Sequence, residues 1–388
     1  MTVRSTPLPE LLEFVVDNRG RTAPTVEFGI PLIATNCIKD DQLYPAFENV
    51  RYVDHDTYDH WFRAHPEPGD ILFVLKGSPG RVALVPDPVS FCIAQDMVAL
   101  RANRLLIDSR YLFYVLRSPS TRQLILNLHV GTMIPHFKKG DFNKLRLNVE
   151  TDLAIQRAIA EVLGALDDKI AANTKLVQTA DELTGSLTRH LLDFENLVPL
   201  SSVADVTMGS SPLGTTLNEE QQGDVFYQGV RDFGVRYPTN RVWTTGPVRF
   251  AEPFNTLLSV RAPVGQVNLA RERTCIGRGI ASIRSRVGCP YSIFHILRND
   301  LETWAPYEAE GTIFGSINKS QLESLAVPSI PSEKAGELEQ KLGSLELRIA
   351  SALDENMTLA ATRDALLPQL MSGKLRVRDA EKTVEAVA

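Results

Sequence analysis

A chain of 388 residues with 44% apolar and 23% charged residues has ordinary globular composition and enough material for two or three domains. Its net charge of −6 argues against bulk attraction to nucleic acid, because neutralising phosphates needs clustered Lys and Arg, yet it leaves room for a local basic face. No run approaches the roughly 18 apolar residues of a membrane span, the opening Met1-Thr2-Val3-Arg4-Ser5-Thr6-Pro7 holds no apolar signal core, and Cys37, Cys92, Cys275 and Cys289 lie too far apart for a Cys-x-x-Cys site. A cytoplasmic protein with reduced, mostly buried thiols is expected.

The chain opens with Leu11, Leu12 and Val15 ahead of a turn at Gly20-Arg21-Thr22. Brief β-rich runs follow, Ile71-Leu72-Phe73-Val74-Leu75 and Arg81-Val82-Ala83-Leu84-Val85, separated by Gly and Pro, and one helix is expected over 109–128. From about residue 151 the pattern changes to a period of 3.5. Ile159, Leu163, Leu166, Ile170, Asn173, Val177, Ala180, Thr184, Leu187 and Leu191 step by alternating fours and threes, which is the seam of a coiled coil.

The second half says nearly the same thing again. Leu200, Val203 and Val206 precede a turn at Gly209-Ser210-Ser211-Pro212, Thr256-Leu257-Leu258-Ser259-Val260 is β-rich, and 291–299 is the counterpart helix. Cys92-Ile93-Ala94-Gln95-Asp96-Met97-Val98-Ala99-Leu100-Arg101 returns as Cys275-Ile276-Gly277-Arg278-Gly279-Ile280-Ala281-Ser282-Ile283-Arg284 at an offset of 183 residues. Leu72 to Gly80 matches Leu257 to Gly265, and Gly131-Thr132-Met133 matches Gly311-Thr312-Ile313. A second seam follows: Leu342, Leu345, Ile349, Ala352, Asn356, Leu359, Arg363, Leu366 and Leu370. The period is domain-sized, far beyond that of a solenoid repeat.

These elements predict an α+β fold with two pseudo-repeated mixed α/β globules separated by two long helices that form an antiparallel coiled coil. The expected boundaries are 1–150 for the first globule, 151–194 for the central helix, 195–330 for the second globule, 331–376 for the C-terminal helix and 377–388 for a flexible tail. Thr151 and Ser332 are the expected N-caps, and Gly373 the expected C-terminal stop. Asn173 and Asn356 sit mid-seam, where a polar residue fixes register at some cost in stability; a core Asn without that role is the alternative. A generic dimerisation helix is the alternative to an intramolecular pair.

A globule, a long helix, a second globule and a second long helix resemble the specificity subunit of Type I restriction-modification systems. The ending Thr362-Arg363-Asp364-Ala365-Leu366-Leu367-Pro368-Gln369-Leu370-Met371-Ser372-Gly373-Lys374-Leu375 carries the resemblance most sharply. Gln156-Arg157-Ala158-Ile159-Ala160, Gly311-Thr312 leading to Ile317, and Leu325-Ala326-Val327-Pro328 add to it. Asn148-Val149-Glu150-Thr151-Asp152 departs from it, standing where a Pro-rich lead-in is expected. The resemblance implies that the globules are target recognition domains, each reading half of a bipartite sequence in double-stranded DNA, and that the helices set the gap. It also implies docking of methyltransferase subunits, two of them expected, and of a motor-nuclease subunit, with no membrane partner. No cofactor is expected in this chain; S-adenosylmethionine, ATP and Mg are expected on the partner subunits.

The residues themselves agree with a non-catalytic role. An Asn/Asp-Pro-Pro-aromatic motif and a Gly-x-x-x-x-Gly-Lys-Ser/Thr loop are both missing from the sequence, and Gly277-Arg278-Gly279 sits among β-formers, which disfavours a nucleotide turn. His55, His60 and His65 are spaced by five, which does not align on one helical face, so a solvated loop is expected and no metal. Asp70 is read as a turn residue. The DNA-contact candidates are donors on turns. Lys76, with Arg81, and Arg261, with Gln266, flank equivalent Gly-Pro turns. His136, Lys138 and Lys139 align with Asn318 and Lys319 as a second patch, and Arg19, Arg21, Arg231 and Arg236 are loop candidates. Two rivals stand beside this reading: a protein-binding scaffold, which the acidic charge favours, and an enzyme with an unfamiliar site.

Overall fold

The β-rich runs of the first half pair as a four-stranded antiparallel sheet in the order Leu12–Asp17, Met97–Ala102, Ile71–Val74, Val82–Leu84. The structure is a computed structural model that describes residues 2–18, 21–128, 135–299, 302–307, 315–385 and 387. Alternation along a strand splits the side chains between two cores. Ile71, Phe73, Val98 and Leu100 enter one, while Leu72, Val74, Met97 and Ala99 enter the other. Such a sheet is covered on both faces, which explains why its strands read as nearly continuous apolar runs. The second half repeats the arrangement with Ala204–Met208, Ile280–Ser285, Thr256–Ser259 and Val267–Leu269. The repeat extends to a parallel pairing: Leu32 lies opposite Cys92 in one half and Phe226 opposite Cys275 in the other.

The helix expected over 109–128 is two helices, Ser109–Arg117 and Pro119–Leu128. Pro119 drives Ser118 out of the helical region, to ψ 144. The counterpart is Pro290–Asn299. All four cysteines are buried and free, and burial pushes the Cys92 thiol up to about 12.

The chain divides into two compact units, Met1–Lys175 with Leu353–Ala388, and Leu176–Ala352. The central helix Leu153–Leu191 and the distal helix Ser332–Met371 each contribute to both. Within each unit the two helices pack antiparallel along the expected seam. Ile159, Leu163 and Leu166 share a core with Leu359, Leu366 and Leu370, and Leu187 and Leu191 pack against the core that holds Leu338 and Leu342. Asp152, not Thr151, caps the central helix, accepting from the Ala154 amide at 2.8 Å. Ser332 is the first helical residue rather than the cap. Gly373 ends the distal helix as expected, with φ +69 and its amide on the Leu370 carbonyl. The 377–388 tail is not a loose strand of chain: Val377–Glu385 is helical, with Ala380 and Val384 buried in the first unit's core.

Polar side chains fasten the globules to these helices. Buried Gln156 accepts from the Asp108 amide and donates to the Glu150 carbonyl, both at 2.7 Å. At the matching place Glu339 accepts from the amides of Tyr291 and Ser292. Asn173 donates to Glu355 at 2.7 Å, and Asn356 reaches the Ile170 carbonyl at 3.5 Å, so each mid-seam Asn bonds across to the opposite helix and not to the other Asn.

His295 is fully buried with Nε2 at 2.9 Å from the Glu346 carboxylate, near Arg236 and Asp181. Burial holds its pKa below the ordinary value near about 6.5, outweighing the Glu346 hydrogen bond. A depressed pKa means that the unfolded chain binds the proton more readily, so this contribution is present above about pH 6.5 and is lost as pH falls. Thermal melts from pH 7.5 to 5.5 are therefore expected to decline more steeply for the wild type than for His295→Gln; parallel profiles would contradict this.

Candidate nucleic-acid interface

At one end of each four-stranded sheet, four chain segments meet in the same order. In the first unit the Leu75 amide donates to the Asp96 carbonyl at 2.9 Å, the Phe137 amide to the Leu75 carbonyl at 2.8 Å, and the Gly77 amide to the Pro135 carbonyl at 3.0 Å. The Thr22 hydroxyl donates to Gln95 Oε1 at 3.0 Å and adds the opening loop. In the second unit the Val260 amide donates to the Gly279 carbonyl at 2.9 Å, the Ile317 amide to the Val260 carbonyl at 3.1 Å, and the Ala262 amide to the Gly315 carbonyl at 3.0 Å. The Arg278 amide reaches Ser211 Oγ at 3.4 Å. Lys76 bridges to His136 and Arg261 to Ser316, so the two patches read separately from the sequence are one surface in each unit.

The turns after Lys76 and Arg261 close alike. The Gly80 amide donates to the Val74 carbonyl and the Gly265 amide to the Ser259 carbonyl, with φ +86 and +88. Only glycine takes that backbone conformation without strain. At Gly265 an added Cβ would also lie 2.2 Å from the Trp304 ring.

Lys76, Lys138, Arg261 and Gln266 are exposed, with no side-chain partner among the described residues. His136 is half-buried beside Lys76. Arg81 is held by Asp40 at 3.1 Å, Lys139 by Asp17, and Lys319 by Glu323 at 3.5 Å. Asn318 caps a short helix, accepting from the Gln321 amide at 3.0 Å. Arg21 and Arg231 are exposed, and Arg19 lies outside the described residues. Arg236 does not belong to the surface. It is 1% exposed, paired with Asp181 at 2.7 Å and Glu346 at 3.3 Å, and its guanidinium lies over the Phe294 ring.

Other expectations are corrected in the same way. Asp70 closes the expected turn, its amide on the Glu67 carbonyl at 3.0 Å and its carboxylate accepting from the Glu67 amide at 2.8 Å, but it is also 3% exposed and takes both Nε and Nη2 of Arg101 at 3.0 Å. Thr57–Trp61 forms a helical turn, with His65 stacked 3.8 Å from Tyr58 and His60 paired with Asp56. Among the described residues no three His, Cys, Asp or Glu side chains gather as a metal site, and no helix is long and apolar enough to cross a membrane. Sequence reasoning missed Gln95 and Arg278, although the 183-residue offset aligns them.

Residues 31–181 match the family profile described as Type I restriction modification DNA specificity domain. The chain is 25% identical over 402 residues to a Methanocaldococcus jannaschii protein described as a type I restriction enzyme MjaX specificity subunit, covering 96% of this chain and 93% of that one. The S subunit of a Type I restriction-modification system from M. genitalium superposes with a TM-score of 0.60 at 16% identity, over 95% of this chain and 96% of that one, a likeness of fold. The HsdS subunit from Thermoanaerobacter tengcongensis is 23% identical, covering 96% and 97%, with a TM-score of 0.38. The matched domain in residues 31–181 and the likeness running nearly end to end to a described specificity subunit make the chain similar to the specificity subunits of Type I restriction-modification systems.

Proposed function

We propose that the chain is the non-catalytic DNA reader of a Type I restriction-modification complex, each unit contacting one half of a split, asymmetric target. The observation that carries this is the four-segment sheet end, built twice on one backbone plan but dressed with different side chains: exposed Lys76 against exposed Arg261, and half-buried Gln95 against exposed Arg278. One scaffold with two sets of donors suits two different half-sites, whereas identical readers would favour a palindrome. The long helices, of 39 and 40 residues, run about 60 Å at roughly 1.5 Å per residue. Half-sites one DNA turn apart are about 34 to 36 Å centre to centre, so helices of this length can set the gap. Methyltransferase subunits, two by this reading, and a motor-nuclease dock on the chain and supply S-adenosylmethionine, ATP and Mg chemistry.

Titration of the complex of this chain with its methyltransferase subunits against duplexes of varied sequence, at moderate salt, tests the reading. Selective retention of one sequence class is expected, and equal affinity for all would support the scaffold reading instead. On the complex, Lys138→Ala is expected to weaken all duplexes alike and to reduce the salt slope by about 1, as for a lost phosphate contact. An unchanged slope would remove Lys138 from the surface.

A further inference from the structure

Arg278 stands on a turn fixed on every side. The Gly277 amide donates to the Tyr227 carbonyl at 2.8 Å, the Gly279 amide to the Gln228 carbonyl at 3.2 Å and the Ile280 amide to the Gly277 carbonyl at 3.0 Å, while the Arg278 amide itself reaches Ser211 Oγ. Crowding favours the flanking glycines: a Cβ at Gly279 would clash with the Gln228 carbonyl oxygen at 2.5 Å, and one at Gly277 would sit tightly against the Phe226 ring at 3.0 Å. The guanidinium is nonetheless exposed and has no partner among the described residues, beside a Gly279 carbonyl that accepts from the residue preceding Arg261. A rigid backbone under a free, planar donor fork loses little entropy on binding, which is the arrangement a bidentate reader needs. At the same offset the first unit presents Gln95, its Oε1 anchored by Thr22.

We infer that Arg278 and Gln95 are equivalent base-reading residues, with Arg278 taking O6 and N7 of a guanine in the second half-site and Gln95 taking N6 and N7 of an adenine in the first. This rests on the DNA-reading function proposed above and assigns it a specificity determinant in each unit.

The test uses the complex with its methyltransferase subunits and duplexes in which each base pair of each half-site is substituted in turn. Arg278→Gln is expected to lower affinity for the original duplex on the order of 5- to 150-fold. It should also move the preference at one position of the second half-site from G·C towards A·T, leaving the first half-site profile unchanged. Gln95→Arg should do the converse. Arg278→Lys keeps the charge without the fork, so it too should lose discrimination at that position. Weakening of all duplexes alike by Arg278→Gln, or full discrimination by Arg278→Lys, would overturn the assignment and make Arg278 a phosphate contact. A variant profile identical to that of a selective wild type would overturn this inference alone, whereas a wild-type complex without any selectivity would remove the DNA-reading function itself.

Discussion

Arg236→Met is expected to destabilise the second unit by about 3 to 5 kcal/mol, the cost of leaving a buried charge without its counter-ion. Glu346 is 1% exposed and would keep only His295, at 2.9 Å. Asp181 would keep Arg298 at 3.2 Å. Burial raises the Asp181 pKa, but Arg236 and Arg298 outweigh burial and hold it below its ordinary value, so part of the loss should appear as a weaker pH dependence in the acid range. Urea unfolding of the full chain, followed by tryptophan fluorescence, measures the loss; Trp243 and Trp304 both lie in this unit. Because paired removal of buried ions can be nearly neutral, Arg236→Met with Glu346→Leu should cost less than the sum of the two single changes. A single variant within about 0.5 kcal/mol of wild type, the usual range for surface positions, would show that the cluster carries no net stability.

The first unit should respond in the same way to Asp167→Asn, again by about 3 to 5 kcal/mol. Asp167, 1% exposed, accepts from the Tyr114 hydroxyl at 2.7 Å and from Arg363 at 2.6 Å, with Arg117 at 3.5 Å. The amide would leave two guanidinium groups facing one another without a buried anion; Arg363 would retain Asp364, which is 64% exposed. Tyr114→Phe removes only the hydrogen bond and should cost about 0.5 to 1.5 kcal/mol. Comparable losses from the two variants, in equilibrium unfolding, would mean that the hydrogen bond and not the charge is what matters.

The parts of the fold that were legible in the sequence are those written in periodicity. The step of alternating fours and threes marked both long helices because burial follows that stripe, and the ordered repeat marked the two globules. The buried ion clusters left no such trace. Arg236 follows Gly234 in a turn-rich stretch and reads as exposed; what buries it are carboxylates from Asp181 and Glu346, remote in sequence. Arg363 and Thr184 fell in the seam pattern, but their polarity gave no indication of what would satisfy it. The tail helix rests on three small contacts, Val377, Ala380 and Val384, too few for a period to stand out among its charges. At the candidate surface, spacing picked Lys76 and Arg261, but whether a basic residue is free or held by a neighbouring acid, as Lys139 is by Asp17, depends on tertiary placement. Arg278 went unread because Gly-Arg-Gly among β-formers invites a nucleotide comparison, when its glycines serve close backbone packing.

The central claim, that each unit reads one half of a split target, is tested most directly by mapping methylated adenines across the source genome with and without this gene. The account predicts that one asymmetric two-part motif loses its methylation while every other motif is unchanged. Unaltered methylation at all motifs, or loss of a single contiguous or palindromic one, would contradict it.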